Sequence, residues 1–261
     1  AKLILLTCDA DINLKSEQAA EKAGVLAIAP CVGSTAMGPD NGENLGFSMG
    51  SAVPGEAAIM AEYAISHLGR TATLFKDMSI AYTTSQCDAF ATRFKAQGGT
   101  IKSIQQFNQT QAGSLDKPVT AQVAAAKKDN AAVIALCSYP GGGAQALAAI
   151  RNAGINTPVI SGFGMDGAFW LGAVPNLSNF YDVTYASVFG DDPKPLVKNL
   201  LAAFKKKTGQ DAATSGLITG ASSVEAFALA AKRAGSFDGK ALATQLEKFK
   251  AENLTAGPTS F

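Results

Sequence analysis

Short β-branched or apolar runs alternate along this chain with longer segments of helical periodicity. "KLILLT" is followed by "NLKSEQAAEKAG" and then "VLAIAP", and "TATLFKD" by "TTSQCDAFATRFKAQGG" and then "TIKSIQQF". Such alternation is the rhythm of βαβ units, in which parallel strands are joined by helices that must cover the sheet faces. Helical spacing puts Cys87, Phe90, Ala91 and Phe94 on one face of its segment, and Leu196, Val197, Leu200, Leu201 and Phe204 on one face of another. Gly24, Gly69, Gly98 and Gly154 each follow a helical pattern and precede a strand-like run, where a left-handed residue ends a helix at low cost. An α/β fold with parallel sheets flanked by helices is therefore predicted. After "YDVTYAS" the strand-like runs stop, and from Pro193 to a terminal "GPTSF" the chain reads as mostly helical.

Composition removes several function classes. With 261 residues and 47% hydrophobic content the chain can bury one large core or two small ones. A formal net charge of +1 supplies no field to gather nucleic acid, and the basic run Lys205-Lys206-Lys207 ends an amphipathic helix as a solvated face. No apolar run approaches the roughly 20 residues of a membrane-spanning helix. Cys8, Cys31, Cys87 and Cys137 lack C-x-x-C spacing, and His67 is the single histidine, so no zinc site is expected. Four cysteines permit disulfides without demanding them.

The stretch "GFGMDG", residues 162–167, has the glycine spacing of a dinucleotide loop, but "AFWLGAVPNLSNFYD" follows it. A pyrophosphate loop needs a helix beginning at its last glycine, and Gly172 and Pro175 preclude a long one. "YPGGGAQ" at 139–145 lacks the Gly-Lys-Ser/Thr of a phosphate loop and reads as a strand-to-helix connection. No cofactor is expected. Ligands of open parallel sheets sit at the carboxyl ends of strands. There the chain offers Cys8-Asp9-Ala10-Asp11, Gly33-Ser34-Thr35, Ser79 to Tyr82, Ser138-Tyr139 and Phe163 to Asp166. Hydroxyls, two tyrosines and carboxylates suit a small polar ligand. No histidine, Gly-x-Ser-x-Gly elbow or metal cluster accompanies them, so no enzyme is expected. Each residue also has a plain structural role open to it: Ser34 and Thr35 as caps or turn residues, Tyr82 and Tyr139 as packing groups, and Asp166 as a turn former.

The order of "AGVLAIAPCVGST", "GRTATLFKDMSIAYTTSQCDAFATRFKAQGGTI", "AAVIALCSYPGGGAQALAAIRNAGINTPVISGFG" and "GLITGASSVEAFALAAKRAG" resembles periplasmic substrate-binding proteins of the branched-chain amino-acid type, which serve ABC importers. The likeness covers nearly the whole chain through diffuse patterns. It implies the class I periplasmic-binding fold: two Rossmann-like lobes joined by a hinge and enclosing a ligand, with residues 1–50 and 187–261 in lobe I and 51–186 in lobe II. It implies a periplasmic, monomeric, non-catalytic binder of a small amino acid or related carboxylate or amide, handing it to a membrane permease. The alternatives are a ligand-sensing regulatory domain of the same fold and, behind it, a nucleotide-using α/β enzyme.

Carried over residue by residue, the resemblance assigns Gly33, Ser34 and Thr35 to the ligand carboxylate, Tyr82 and Tyr139 to the binding wall, and Asp166 to the ligand ammonium. The glycines around Asp166 would let backbone approach the ligand. Asp9 joins the candidates where relatives often offer serine; either Asp9 and Asp11 point away, or the ligand is more cationic than a branched-chain amino acid. The resemblance also implies that lobe I lacks its opening βαβ units, so that an upstream segment covers "KLILLT", and that Cys8 is free because its usual partner lies in the absent region.

Overall fold

A computed structural model describes residues 1–261 apart from Thr35, Ala36, Asp40 and Asn41. In chain order its elements are β1 (Leu3–Leu5), α1 (Ala10–Lys22), β2 (Leu26–Ala29), β3 (Gly46–Ser48), α2 (Val53–Tyr63), β4 (Thr71–Asp77), α3 (Ala81–Ala96), β5 (Thr100–Phe107), α4 (Thr120–Asp129) and β6 (Val133–Cys137). Then come α5 (Gly142–Asn152), β7 (Val159–Ser161), β8 (Phe180–Asp182), α6 (Pro195–Thr208), α7 (Gly216–Ala234), α8 (Gly239–Leu246), β9 (Glu252–Leu254) and β10 (Gly257–Thr259). The chain divides into two compact units, Ala1–Ala52 with Tyr185–Phe261, and Val53–Thr184.

The first unit carries a parallel sheet of order β1-β2-β3. Side chains alternate across a strand, so Leu26 and Ile28 of β2 enter a core with Ala226, Leu242, Leu246 and Phe249, while Ala27 and Ala29 pack with Leu6, Ala10 and Ala20. Among the described residues β1 pairs with β2 alone, and Leu5 is 51% exposed. The mostly helical end closes on a hairpin, β9 against β10, that the residue pattern did not reveal. Three-residue arms are too short to display period-2 alternation. Side chains of α7 clamp its turn: Glu225 accepts from the Thr255 N–H (2.8 Å) and hydroxyl (2.6 Å), and Ser222 Oγ accepts from the Ala256 N–H (2.8 Å).

The second unit is built on an all-parallel sheet of order β5-β4-β6-β7-β8. Every residue of β6 is buried, as expected for a strand covered on both faces. Ile134 and Leu136 pack with Phe75, Leu147 and Ile150, whereas Val133, Ala135 and Cys137 pack with Met60, Phe90 and Phe94. The stripe Cys87, Phe90, Ala91 and Phe94 of α3 is buried as its spacing predicts. The α6 stripe is looser: Val197 is buried but Leu196 is 43% exposed, because that helix packs on a small cluster with Ile218 and Ala186.

Two disulfides cross-link the units internally. Cys87 of α3 joins Cys137 at the end of β6, with Cα atoms 5.5 Å apart. Cys8 joins Cys31, with Cα atoms 4.7 Å apart, so the expectation of a free Cys8 is corrected. The two cysteines follow the neighbouring strands β1 and β2, whose spacing brings them within disulfide reach. Among the described residues no helix is long and apolar enough to cross a membrane.

Candidate functional site

In the second unit the strands β4, β6, β7 and β8 end side by side, and their carboxyl ends carry the polar residues. After β7 the chain passes Gly162 into a single 3-10 turn, Phe163–Met165, which delivers Asp166. The two glycines of this turn have a definite cause. A Cβ at Gly162 would collide with the Glu56 carboxylate and the Gln86 amide, and one at Gly164 with the Ser138 carbonyl and, at 2.9 Å, the Tyr82 ring. At both positions the protein's own groups approach the backbone closely.

Glu56 organises this corner from the first turn of α2. It is 3% exposed, and its Oε1 accepts from the Tyr82 hydroxyl (2.7 Å), Gln86 Nε2 (2.6 Å) and the Phe163 N–H (2.8 Å). The Tyr82 oxygen in turn accepts from the Gly164 N–H (3.0 Å) and Gln86 Nε2 (2.6 Å). Tyr82, a candidate ligand contact, is thereby fixed to the Asp166 turn.

Tyr139 belongs to a second network around Asp77, which is fully buried at the end of β4. One Asp77 oxygen accepts from the Ser79 N–H (3.0 Å) and hydroxyl (2.6 Å), the other from the Ser138 hydroxyl (2.9 Å) and Gln109 Nε2 (2.5 Å). Gln109 Oε1 accepts from the Gly142 N–H (2.7 Å), the first residue of α5, and the Tyr139 and Ser79 hydroxyls lie 3.4 Å apart. Charge-assisted bonds of this kind hold three loops in one arrangement. "YPGGGAQ" is thus the start of α5, in keeping with a strand-to-helix connection.

Three carboxyls meet electrostatically here. Asp166 is 5% exposed. Asp182, the last residue of β8, has an enclosed Oδ1 without a hydrogen-bond partner among the described residues, and Glu56 Oε2 is likewise enclosed and unpartnered. Burial pushes the Asp182 carboxyl well above the usual range, and the negative charges of Asp166 and Glu56 push the same way. Burial also raises Glu56, against the pull of its bonds to Tyr82, Phe163 and Gln86. Asp182 further borders a cavity of about 580 Å³ walled by Ile59, Tyr63 and Tyr181. The arrangement favours a group that brings positive charge and N–H donors.

Asp77, Glu56 and Asp182 escaped the residue pattern. Glu56 did leave a signal, since it shares the buried α2 stripe of Val53, Ala57, Met60 and Ala61. Asp182 also ends a parallel strand, the position that selected the other candidates.

In the first unit, Asp9 is the N-cap of α1, its Oδ1 accepting from the Asp11 N–H at 2.9 Å. Gly33 is buried and Ser34 half-buried beyond β2, while Thr35 lies outside the described residues. No His, Cys, Asp or Glu trio among the described residues is arranged to hold a metal ion.

Comparison with known proteins places this geometry in a family. The sequence profile of the periplasmic binding proteins matches residues 2–261. The leucine-binding protein LivK of Thermotoga maritima is similar at 20% identity and a TM-score of 0.85, over 100% of this chain and 72% of that one. The branched-chain amino-acid binding protein LivJ of Streptococcus pneumoniae, solved with isoleucine, is similar at 21% identity with the same TM-score and coverage. A solute-binding protein of Rhodopseudomonas palustris, solved with benzoate, is similar at 14% identity and a TM-score of 0.83, over 100% of this chain and 70% of that one. No match to this chain was found among curated protein sequences. The chain belongs to the periplasmic binding protein family.

Proposed function

We propose that the protein binds a small amino acid or a related amine-bearing solute, as a periplasmic monomer that passes it to a membrane permease. The observation that carries this reading is the trio Glu56, Asp166 and Asp182, with two enclosed carboxyl oxygens that lack partners among the described residues. A ligand ammonium would supply the missing donors and charge. Among the similar proteins some were solved with amino acids and others with aromatic acids. The trio favours the former. A lone carboxylate placed about 4 Å from a like charge is disfavoured by about 4 kcal/mol at an effective dielectric of 20.

Thermal unfolding with leucine, isoleucine and benzoate tests this. An amino acid at 100 times its dissociation constant stabilises by about 2.7 kcal/mol, and Asp166→Asn abolishes that gain while remaining folded by circular dichroism. A shift with benzoate and none with any amine-bearing solute would overturn the reading. A sensor of the same fold would bind the same solute, and transport in cells lacking the cognate permease separates the two.

A further inference from the structure

The first unit also holds a buried carboxyl group, one oxygen of which lacks a partner among the described residues. Glu17 projects from the middle of α1 and is 2% exposed; its Oε2 finds no hydrogen-bond partner among the described residues. The carboxyl lies so close to Gly46 of β3 that a Cβ there would collide with it. Glu17 lines a cavity of about 300 Å³ whose other walls include Val32, Met37, Phe47 and Phe261, with Ser34, Asn44, Ser48 and Glu247 as polar members. Among the described residues no lysine, arginine or histidine lines it. The Phe47 and Phe261 rings meet edge to face at 5.3 Å, which gives the cavity an aromatic wall.

We propose that this cavity is a second binding site, for the ammonium group of a small apolar amine, with Glu17 as its counter-ion. Buried carboxylates persist when paired, and the cavity supplies no cation of its own. An aromatic and aliphatic wall beside the Glu17 carboxyl fits an alkylammonium, and no trio of His, Cys, Asp or Glu among the described residues is arranged to hold a metal ion. Among the described residues the charged groups facing Glu17 are acidic: Glu43 from the segment before β3, itself 3% exposed with an Oε2 that has no partner there, Glu21 from the next turn of α1, and Glu247 across the cavity. Glu21 is already engaged, accepting from the Leu45 N–H at 2.7 Å.

Proton linkage follows from this geometry. Burial first, then the Glu43 and Glu21 charges, raise Glu17 to about 7 against the bond it receives from Gly38. An arriving ammonium must displace the Glu17 proton, so affinity rises with pH through that value and is about tenfold higher near pH 8 than near pH 6.

The test uses n-butylammonium as probe, with n-butanol as the neutral control. Thermal unfolding is expected to show stabilisation by the amine near pH 8, a weaker effect near pH 6, and none from the alcohol. Glu17→Gln is expected to lose the amine response while keeping the amino-acid response attributed to the other unit. Calorimetry of amine binding near neutrality in two buffers of different ionisation enthalpy is expected to detect proton release, which needs no variant. Absence of a shift near pH 8, an undiminished shift in Glu17→Gln, or binding without proton release would each overturn the proposal.

Discussion

At the scale of single residues, this protein holds carboxyl groups with oxygens enclosed by the fold, and the consequence is a measurable pH dependence. Asp182 has a folded-state value raised well above that of an unfolded chain. A raised carboxyl favours folding below its unfolded value, and that contribution is lost as pH rises through the folded value. Asp182→Asn is therefore expected to be more stable than the parent above neutrality, by roughly 1–2 kcal/mol, and to bind the amine-bearing solute more weakly. Urea unfolding at two pH values decides it; a variant less stable at both would show that Asp182 is paired after all. The opposite outcome is expected at Glu56, whose Oε1 satisfies three donors. Glu56→Ala leaves them without an acceptor and is expected to cost roughly 2–4 kcal/mol in the same assay.

At the scale of elements, the informative pairings join segments far apart in the chain. The Cys87–Cys137 bond ties α3 to β6 across 50 residues, and chain-entropy reasoning gives such a loop about 4 kcal/mol. The double substitution Cys87→Ala/Cys137→Ala is expected to lose most of that in denaturant unfolding while keeping its circular dichroism. The cysteines' chain neighbours matter too: Gln86, just before Cys87, contacts Glu56 and Tyr82, and Ser138, just after Cys137, contacts Asp77. The bond thus lies between the two networks of the candidate site. Thiol counting on denatured, unreduced protein is expected to find no free thiol, and peptide mapping that finds Cys8 and Cys31 unlinked would contradict their pairing.

At the scale of the molecule, each of the two units has its own core. The single tryptophan, Trp170, is 6% exposed in the core of the second unit, its Nε1 donating to the Met165 carbonyl at 3.0 Å. Its fluorescence reports that unit alone, whereas far-ultraviolet dichroism reports both. The two probes are expected to give different urea midpoints, and an amino-acid ligand is expected to raise the tryptophan midpoint. Coincident transitions would mean that the units unfold as one.

Periodicity alone determined the alternation of strands and helices, the all-parallel sheets and the buried stripe of α3, because these follow from neighbours two to four residues apart. The carboxyl ends of strands, legible for the same reason, led to Tyr82, Tyr139 and Asp166 as candidates. What no local pattern contains is which groups meet across the fold. Glu56 reaches the Phe163 N–H over 107 residues, and Asp77 gathers Gln109 and Ser138 from two other segments. The demand for glycine at 162 and 164, the charge coupling of Asp182 with Asp166, and the pairing of Cys8 with Cys31 have the same origin. Each depends on distances set by packing, and burial turns those distances into raised carboxyls and unmet donors and acceptors.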